Sequence, residues 1–136
     1  MLTVQPPTPR LSTIILSMAT PSSAPAVVAL IATGDELVMP GETPRPDQII
    51  ASNSFALKAM IEAAGGIARL LPIARDTEAE HATVLALANG ADLIVTIGGA
   101  SVGDHDLVGR VAGFQAAFWK IAMRPGKPLM AGRLNG

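Results

Sequence analysis

The 136-residue chain has no cysteine and only two histidines, which removes several kinds of chemistry from consideration. Without cysteine there is no disulfide framework, no thiol nucleophile and no thiolate metal site, and the composition fits a reducing compartment. The two histidines, His81 and His105, stand apart in the sequence and argue against a zinc site. We expect His81 to lie on a helix surface. His105, which stands between two aspartates, is either a site residue or an exposed histidine in a loop.

Neither sign of charge dominates, because 10 Lys and Arg residues stand against 11 Asp and Glu residues, for a net charge of −1. A neutral chain lacks the basic field that attracts nucleic acid or anionic membranes. No apolar run reaches membrane-spanning length, and residues 11–19 are too short and too polar for a signal peptide. We therefore expect a cytoplasmic protein that handles small molecules, with neither nucleic acid nor membrane as a partner.

Known catalytic and nucleotide-binding motifs are also missing. Ser101 lacks the Gly-x-Ser-x-Gly elbow of a serine hydrolase, and neither histidine has a visible triad partner. The Gly-Gly-x-Ser-x-Gly spacing of residues 98–103 departs from both the dinucleotide fingerprint and the P-loop. A generic nucleotide-binding domain is therefore a distant alternative.

Beyond a Pro-, Ser- and Thr-rich tail or linker at residues 1–26, strands and helices alternate over one domain at residues 27–136. The pattern predicts strands at 27–32, 67–73, 93–97, 117–123 and 129–134, and helices at about 52–64, 77–89 and 106–114. Ser52 or Asn53 can cap the first helix, and residues 34–48 read as a proline-rich loop. The alternation predicts an α/β three-layer sandwich, with a mostly parallel sheet and helices on both faces.

Acidic residues follow each of the first three predicted strands. They are Asp35 and Glu36 after the first, Asp76 after the second, and Asp104 and Asp106 after the third. Because the carboxyl ends of parallel strands share one edge, these acids should converge there, whereas Asp92 precedes its strand and belongs to the opposite edge. Crowded carboxylates favour a Mg²⁺-type site. Helix caps or solvated side chains are the alternative interpretation for each acid alone.

Two further segments fit an anionic ligand. The glycines at 98, 99 and 103 let the backbone approach an anion and form a nest of N–H groups. Lys120, Arg124 and Lys127 surround a Pro-Gly turn and can pair with phosphate or another oxyanion, although a solvated hairpin explains them equally well.

Four segments together resemble a known family. They are Thr-Gly-Asp-Glu-Leu at 33–37, Arg-Asp at 75–76, Gly-Gly-Ala-Ser-Val-Gly-Asp-His-Asp at 98–106, and Phe-Trp-Lys-Ile-Ala-Met-Arg-Pro-Gly-Lys-Pro at 118–128. In order and spacing they resemble the molybdopterin-binding domain of the molybdopterin molybdenumtransferases, the gephyrin E-domain-like family, over about residues 27–136. The glycine turn is shared with the wider group of molybdopterin-binding domains, whereas the last segment is more specific to the transferases.

The resemblance implies molybdenum cofactor biosynthesis, in which adenylylated molybdopterin and molybdate react with Mg²⁺ to release AMP. It makes Glu36, Asp76 and Asp106 the catalytic and metal-holding acids. It assigns substrate binding to Gly98, Gly99, Ser101, Gly103, Lys120, Arg124 and Lys127, with Arg124 standing where lysine is frequent.

Members of this family are longer and form dimers, so we expect a homodimer and a domain incomplete at its C-terminus. The sequence stops before the Leu-Pro-Gly-Asn-Pro loop that the family places beside the ligand. A non-catalytic molybdopterin-binding module, or an inactive fragment of the transferase, is therefore the alternative to a working enzyme.

Overall fold

The structure is a computed structural model that describes residues 24–98, 114–119, 122 and 129–134. The described elements are, in chain order, β1 (Val27–Ala32), β2 (Leu37–Val38), β3 (Ile49–Ile50), α1 (Ser52–Ala63), β4 (Ile67–Leu70), α2 (Glu78–Leu87), β5 (Leu93–Ile97), β6 (Phe114–Trp119) and β7 (Met130–Leu134). None of the helices in these residues is long and apolar enough to cross a membrane.

A parallel sheet of order β4-β1-β5 forms the centre of the fold. Every β1 residue after Val27 is buried, so both faces of the central strand are covered. β4 and β5 lie on opposite sides of β1, and right-handed crossovers then place α1 and α2 on opposite faces of the sheet. The predicted α/β architecture, a mostly parallel sheet with helices, is confirmed.

The core beneath α2 joins the sheet to one face of the helix. Ile31, Ala74 and Val84 form a buried cluster, and Leu71, Leu85 and Ile94 pack against it. His81 lies on the same helix face as Val84, one turn earlier, and is only 3% exposed. The prediction of a surface histidine is therefore wrong, because the face that carries Val84 turns the imidazole inward as well.

The two helices begin in different ways. Thr77 caps α2 as predicted, because its side chain accepts a hydrogen bond from the Glu80 backbone N–H at 3.3 Å. In α1 the predicted cap is wrong: Ser52 is already helical, and Ala51 occupies the cap position without a side-chain hydrogen bond. The start of α1 is instead tied to β2, since the Ala51 N–H donates to the Val38 carbonyl at 2.9 Å.

The structure contains two short strands that were not predicted, and β4 ends earlier than predicted. The proline-rich loop at residues 34–48 contains β2, which pairs in parallel with β3 through Leu37 and Ile49. β4 stops at Leu70. The Leu71 N–H still donates to the Leu30 carbonyl at 3.0 Å, but the next bond to β1 runs from the Ala74 N–H to the Ala32 carbonyl, so the register shifts by one residue. Sheet-like contact resumes at Ala74, which bridges Thr33.

The C-terminal hairpin begins earlier than expected. β6 starts at Phe114 and pairs antiparallel with β7, with an irregularity between Ala116 and Phe118. Phe114 is therefore part of a strand, and the predicted helix over 106–114 is wrong at its last residue. The rest of that predicted helix lies outside the described residues, as do residues 1–23.

Candidate functional site

The carboxyl ends of the three parallel strands meet at one edge of the sheet. The Thr33 N–H donates to the Ile97 carbonyl at 3.0 Å, and the Gly34 N–H donates to the Ala74 carbonyl at 3.1 Å. These bonds tie the residues that follow β1 to the end of β5 and to the segment after β4. Open α/β sheets bind their ligands at this edge, outside the carboxyl ends of the strands.

Gly98, the first residue after β5, passes close to the end of β1. Its φ of +94° favours glycine, and a Cβ atom there would lie 2.7 Å from the Thr33 carbonyl oxygen and 3.0 Å from Thr33 Oγ1. A side chain at this position would collide with the backbone. The predicted glycine turn therefore starts at a position that only glycine can occupy without a collision.

Residues 34–37, here called the acid loop, carry the first two acids. The Glu36 carboxyl group folds over Gly34, so that a Cβ on Gly34 would lie 2.7 Å from Glu36 Cδ. Asp35 reaches the neighbouring segment, where its Oδ1 accepts a hydrogen bond from the Asp76 backbone N–H at 3.1 Å. The acids that follow β1 and β4 thus lie on adjoining segments, as the strand order predicts.

The Arg75 side chain holds the acid loop by hydrogen bonds to the backbone carbonyls of that loop. Its Nη1 donates to the carbonyl oxygens of Asp35 and Leu37, both at 3.0 Å, and of Gly34 at 3.4 Å. Arg75 also lines a cavity of about 420 Å³ whose walls include the mostly apolar residues 70–73. Sequence reasoning gave no role to Arg75, although it stands beside a predicted site acid in one of the four segments that carry the family resemblance.

The predicted site residues fall into two groups. Glu36, Asp76 and Gly98 lie at the shared edge. The others lie outside the described residues: Gly99, Ser101, Gly103, Asp106, Lys120, Arg124 and Lys127. Asp92 lies at the opposite edge as expected, where its Oδ2 accepts from the Val27 N–H at 2.8 Å.

The described acids do not by themselves form a metal centre. Carboxylate oxygens are the ligands that Mg²⁺ prefers, so the donor chemistry of Glu36 and Asp76 suits this ion. Within the described ranges, however, no three Asp, Glu, His or Cys side chains are grouped to hold a metal ion. The third predicted ligand, Asp106, lies outside those ranges, and Mg²⁺ stays a prediction.

Comparison with known proteins places this geometry in a family. Residues 29–136 match the family described as "Probable molybdopterin binding domain". The chain is 39% identical over 111 residues to a molybdopterin molybdenumtransferase of Haemophilus influenzae, covering 79% of this chain and 28% of the relative. It is 37% identical over 118 residues to molybdopterin molybdenumtransferase 2 of Mycobacterium tuberculosis, covering 80% of this chain and 29% of that relative.

Solved structures agree with the sequence relatives. A crystal structure of a molybdopterin biosynthesis protein from Pyrococcus horikoshii superimposes with a TM-score of 0.70 at 32% identity, over 81% of this chain and 28% of that one. A second Pyrococcus horikoshii structure, at 24% identity and a TM-score of 0.62, supports the fold alone. The chain spans less than a third of the length of the relatives and structures named here. With the matching family model and the shared fold, the chain belongs to the family of probable molybdopterin-binding domains.

Proposed function

We propose that the domain at residues 27–136 binds molybdopterin and serves the insertion of molybdate into adenylylated molybdopterin, with release of AMP. This proposal rests on one observation: Glu36, Asp76 and Gly98 all lie at the same edge of the sheet. The name of the relatives, molybdopterin molybdenumtransferase, supports a role in the transfer of molybdenum to molybdopterin. We place the reaction in the cytoplasm and assign it to a homodimer.

The residue types suit the proposed substrates. A phosphate needs close backbone N–H groups, which the turn that begins at Gly98 would supply together with Ser101. An oxyanion needs positive charge, which the basic set Lys120, Arg124 and Lys127 would supply. Carboxylates orient polar reactants by accepting hydrogen bonds, so the proposed catalysis is mainly substrate positioning and charge stabilisation.

Mg²⁺ enters the proposal as the ion that Glu36, Asp76 and Asp106 would hold together. When bound, it would neutralise phosphate charge between the ligand and the acids. The alternative proposal is a module that binds molybdopterin without turnover.

Equilibrium binding of molybdopterin to the purified chain, with and without Mg²⁺, tests the proposal. With Mg²⁺ present, Glu36→Gln and Asp106→Asn should each weaken binding by about tenfold or more, because each removes a proposed ligand of the ion. Lys127→Ala should weaken binding by a similar factor, because it removes a positive charge that would pair with the anionic ligand. Glu62→Gln is the matched control, since Glu62 pairs with Lys58 on exposed α1 and should leave affinity unchanged. A folded chain that does not bind molybdopterin would contradict the proposal.

AMP release separates the enzyme from the binding module. The enzyme should release AMP from adenylylated molybdopterin only when molybdate is added, and Asp106→Asn should abolish that release. A chain that binds molybdopterin saturably without releasing AMP would be the non-catalytic module.

A further inference from the structure

The Arg75 guanidinium lies where three carbonyl oxygens of the acid loop converge. A single nitrogen, Nη1, serves the carbonyls of Gly34, Asp35 and Leu37. We infer that Arg75 is a positioning residue, which holds the acid loop in the shape that presents Asp35 and Glu36 to the ligand. The inference rests on the proposed function of the same site.

The acid loop is also held by two backbone hydrogen bonds, from the Gly34 N–H to the Ala74 carbonyl at 3.1 Å and from the Ile49 N–H to the Glu36 carbonyl at 2.8 Å. Its own turn is closed by a long hydrogen bond, from the Leu37 N–H to the Gly34 carbonyl at 3.4 Å. Gly34 adds backbone freedom with a φ of +142°. Converging carbonyl dipoles repel one another unless a positive donor lies between them, and the guanidinium is such a donor. Without it, we expect the loop to open.

Arg75 can act as a fixed support because its own backbone is anchored. Ala74, the preceding residue, is fully buried and donates its N–H to the Ala32 carbonyl at 2.9 Å. Asp76, the following residue, donates its N–H to Asp35 Oδ1. The segment after β4 therefore holds the acid loop at three points, through the Ala74 carbonyl, the Arg75 side chain and the Asp76 main chain.

This role differs from that of a cation that binds the ligand. Nη1 is committed to backbone carbonyls, so its contribution depends on where this nitrogen lies more than on net charge. Arg75→Lys keeps the charge, but the lysine side chain ends one bond short of the Nη1 position. Arg69 provides the matched control, because it also donates to two carbonyls, those of Leu87 and Asn89 at 2.7 and 3.0 Å, at the far end of α2.

Hydrogen exchange, thermal unfolding and molybdopterin binding, measured on the full chain, test the inference. Arg75→Lys should speed amide exchange at Gly34, Leu37 and Asp76 by about tenfold or more and weaken molybdopterin binding by a similar factor. Arg69→Lys should speed exchange near the end of α2 and leave both the acid loop and the affinity unchanged. The inference is overturned if Arg75→Lys affects the acid loop and the binding no more than Arg69→Lys does.

A second variant keeps the test decisive if Arg75→Lys does not fold. Asp35→Ala removes the acceptor for the Asp76 N–H and leaves the backbone carbonyls that Arg75 uses. Exchange should then rise at Asp76 and stay slow at Leu37. Fast exchange at Leu37 would show that the Asp35 side chain holds the loop instead, and would overturn the inference.

The two proposals fail in different ways. If the unmodified chain does not bind molybdopterin, the proposed function fails, while the exchange rates of the Arg75 variant still decide whether the guanidinium positions the acid loop. If the chain binds and the Arg75 variant binds equally well, the proposed function stands and the positioning role is rejected.

Discussion

A Cβ atom on Gly98 would lie 2.7 Å from the carbonyl oxygen of Thr33. The chain after β5 therefore runs directly against the end of β1, two elements whose pairing also brings Ile97 opposite Ala32. This contact makes Gly98 a sensitive position for substitution.

Gly98→Ala should lower the free energy of unfolding more than Gly41→Ala does. Both glycines have nearly the same φ, +94° and +98°, but nothing lies within 4 Å of a Cβ built on Gly41. The control should lose about 1–2 kcal/mol from backbone strain alone, and Gly98→Ala a further 1–3 kcal/mol, roughly, from the collision with Thr33. Urea unfolding of the two variants measures the difference, and equal losses would contradict the contact.

Thr77→Ala should destabilise the chain by about 1 kcal/mol, because the cap of α2 is lost. Thr83 on the same helix is the control, since its hydroxyl only donates back to the Ala79 carbonyl at 2.8 Å. Such a bond adds little to helix stability, so Thr83→Ala should change the free energy of unfolding by less than about 0.5 kcal/mol. Chemical denaturation compares the two, and a larger loss at Thr83 would refute the assignment.

His81→Leu should stabilise the chain. Within the described residues His81 is buried, and its Nε2 has no hydrogen-bond partner. An unpaired buried polar group costs about 1–3 kcal/mol, and leucine removes that group while filling much of the same space. The midpoint of thermal unfolding should rise; a fall would mean that the imidazole contributes packing or bonding that leucine cannot replace.

Arg45→Ala should raise the pKa of Asp47. The hydrogen bond from Arg45 Nε, at 3.4 Å, is the main cause that holds the pKa of this carboxyl below its usual range, and a backbone hydrogen bond at Asp47 adds to it. Because the pKa of Asp47 is lower in the folded state than in the unfolded state, this carboxyl stabilises the fold at pH values above its pKa in the unfolded state. That stabilisation is lost as the pH falls through the pKa in the folded state. An NMR titration of the Asp47 carboxyl group measures the shift in pKa. Because both side chains are exposed, the free energy of unfolding should barely change.

The elements predicted correctly from sequence depend on neighbours in the chain. The apolar run that forms β1 and the Thr77 cap of α2 both reflect interactions within a few residues. The missed features depend on distant partners. β2 and β3 are two residues each and lie in or beside a proline-rich stretch, so that only their mutual pairing defines them as strands. The inward position of His81 likewise follows from the packing of α2 on the sheet.

By itself, the sequence determined the alternation of strands and helices, the edge to which Glu36 and Asp76 belong, and the family motifs that gave the chain its functional assignment. Only the tertiary structure shows that Arg75 Nη1 donates hydrogen bonds to carbonyls about 40 residues away in the sequence, and that Gly98 lies against Thr33. The physical reason is that every residue carries a backbone carbonyl. The packing of the chain therefore determines which carbonyls converge on a guanidinium or face a glycine, and the pattern of side chains in the sequence does not.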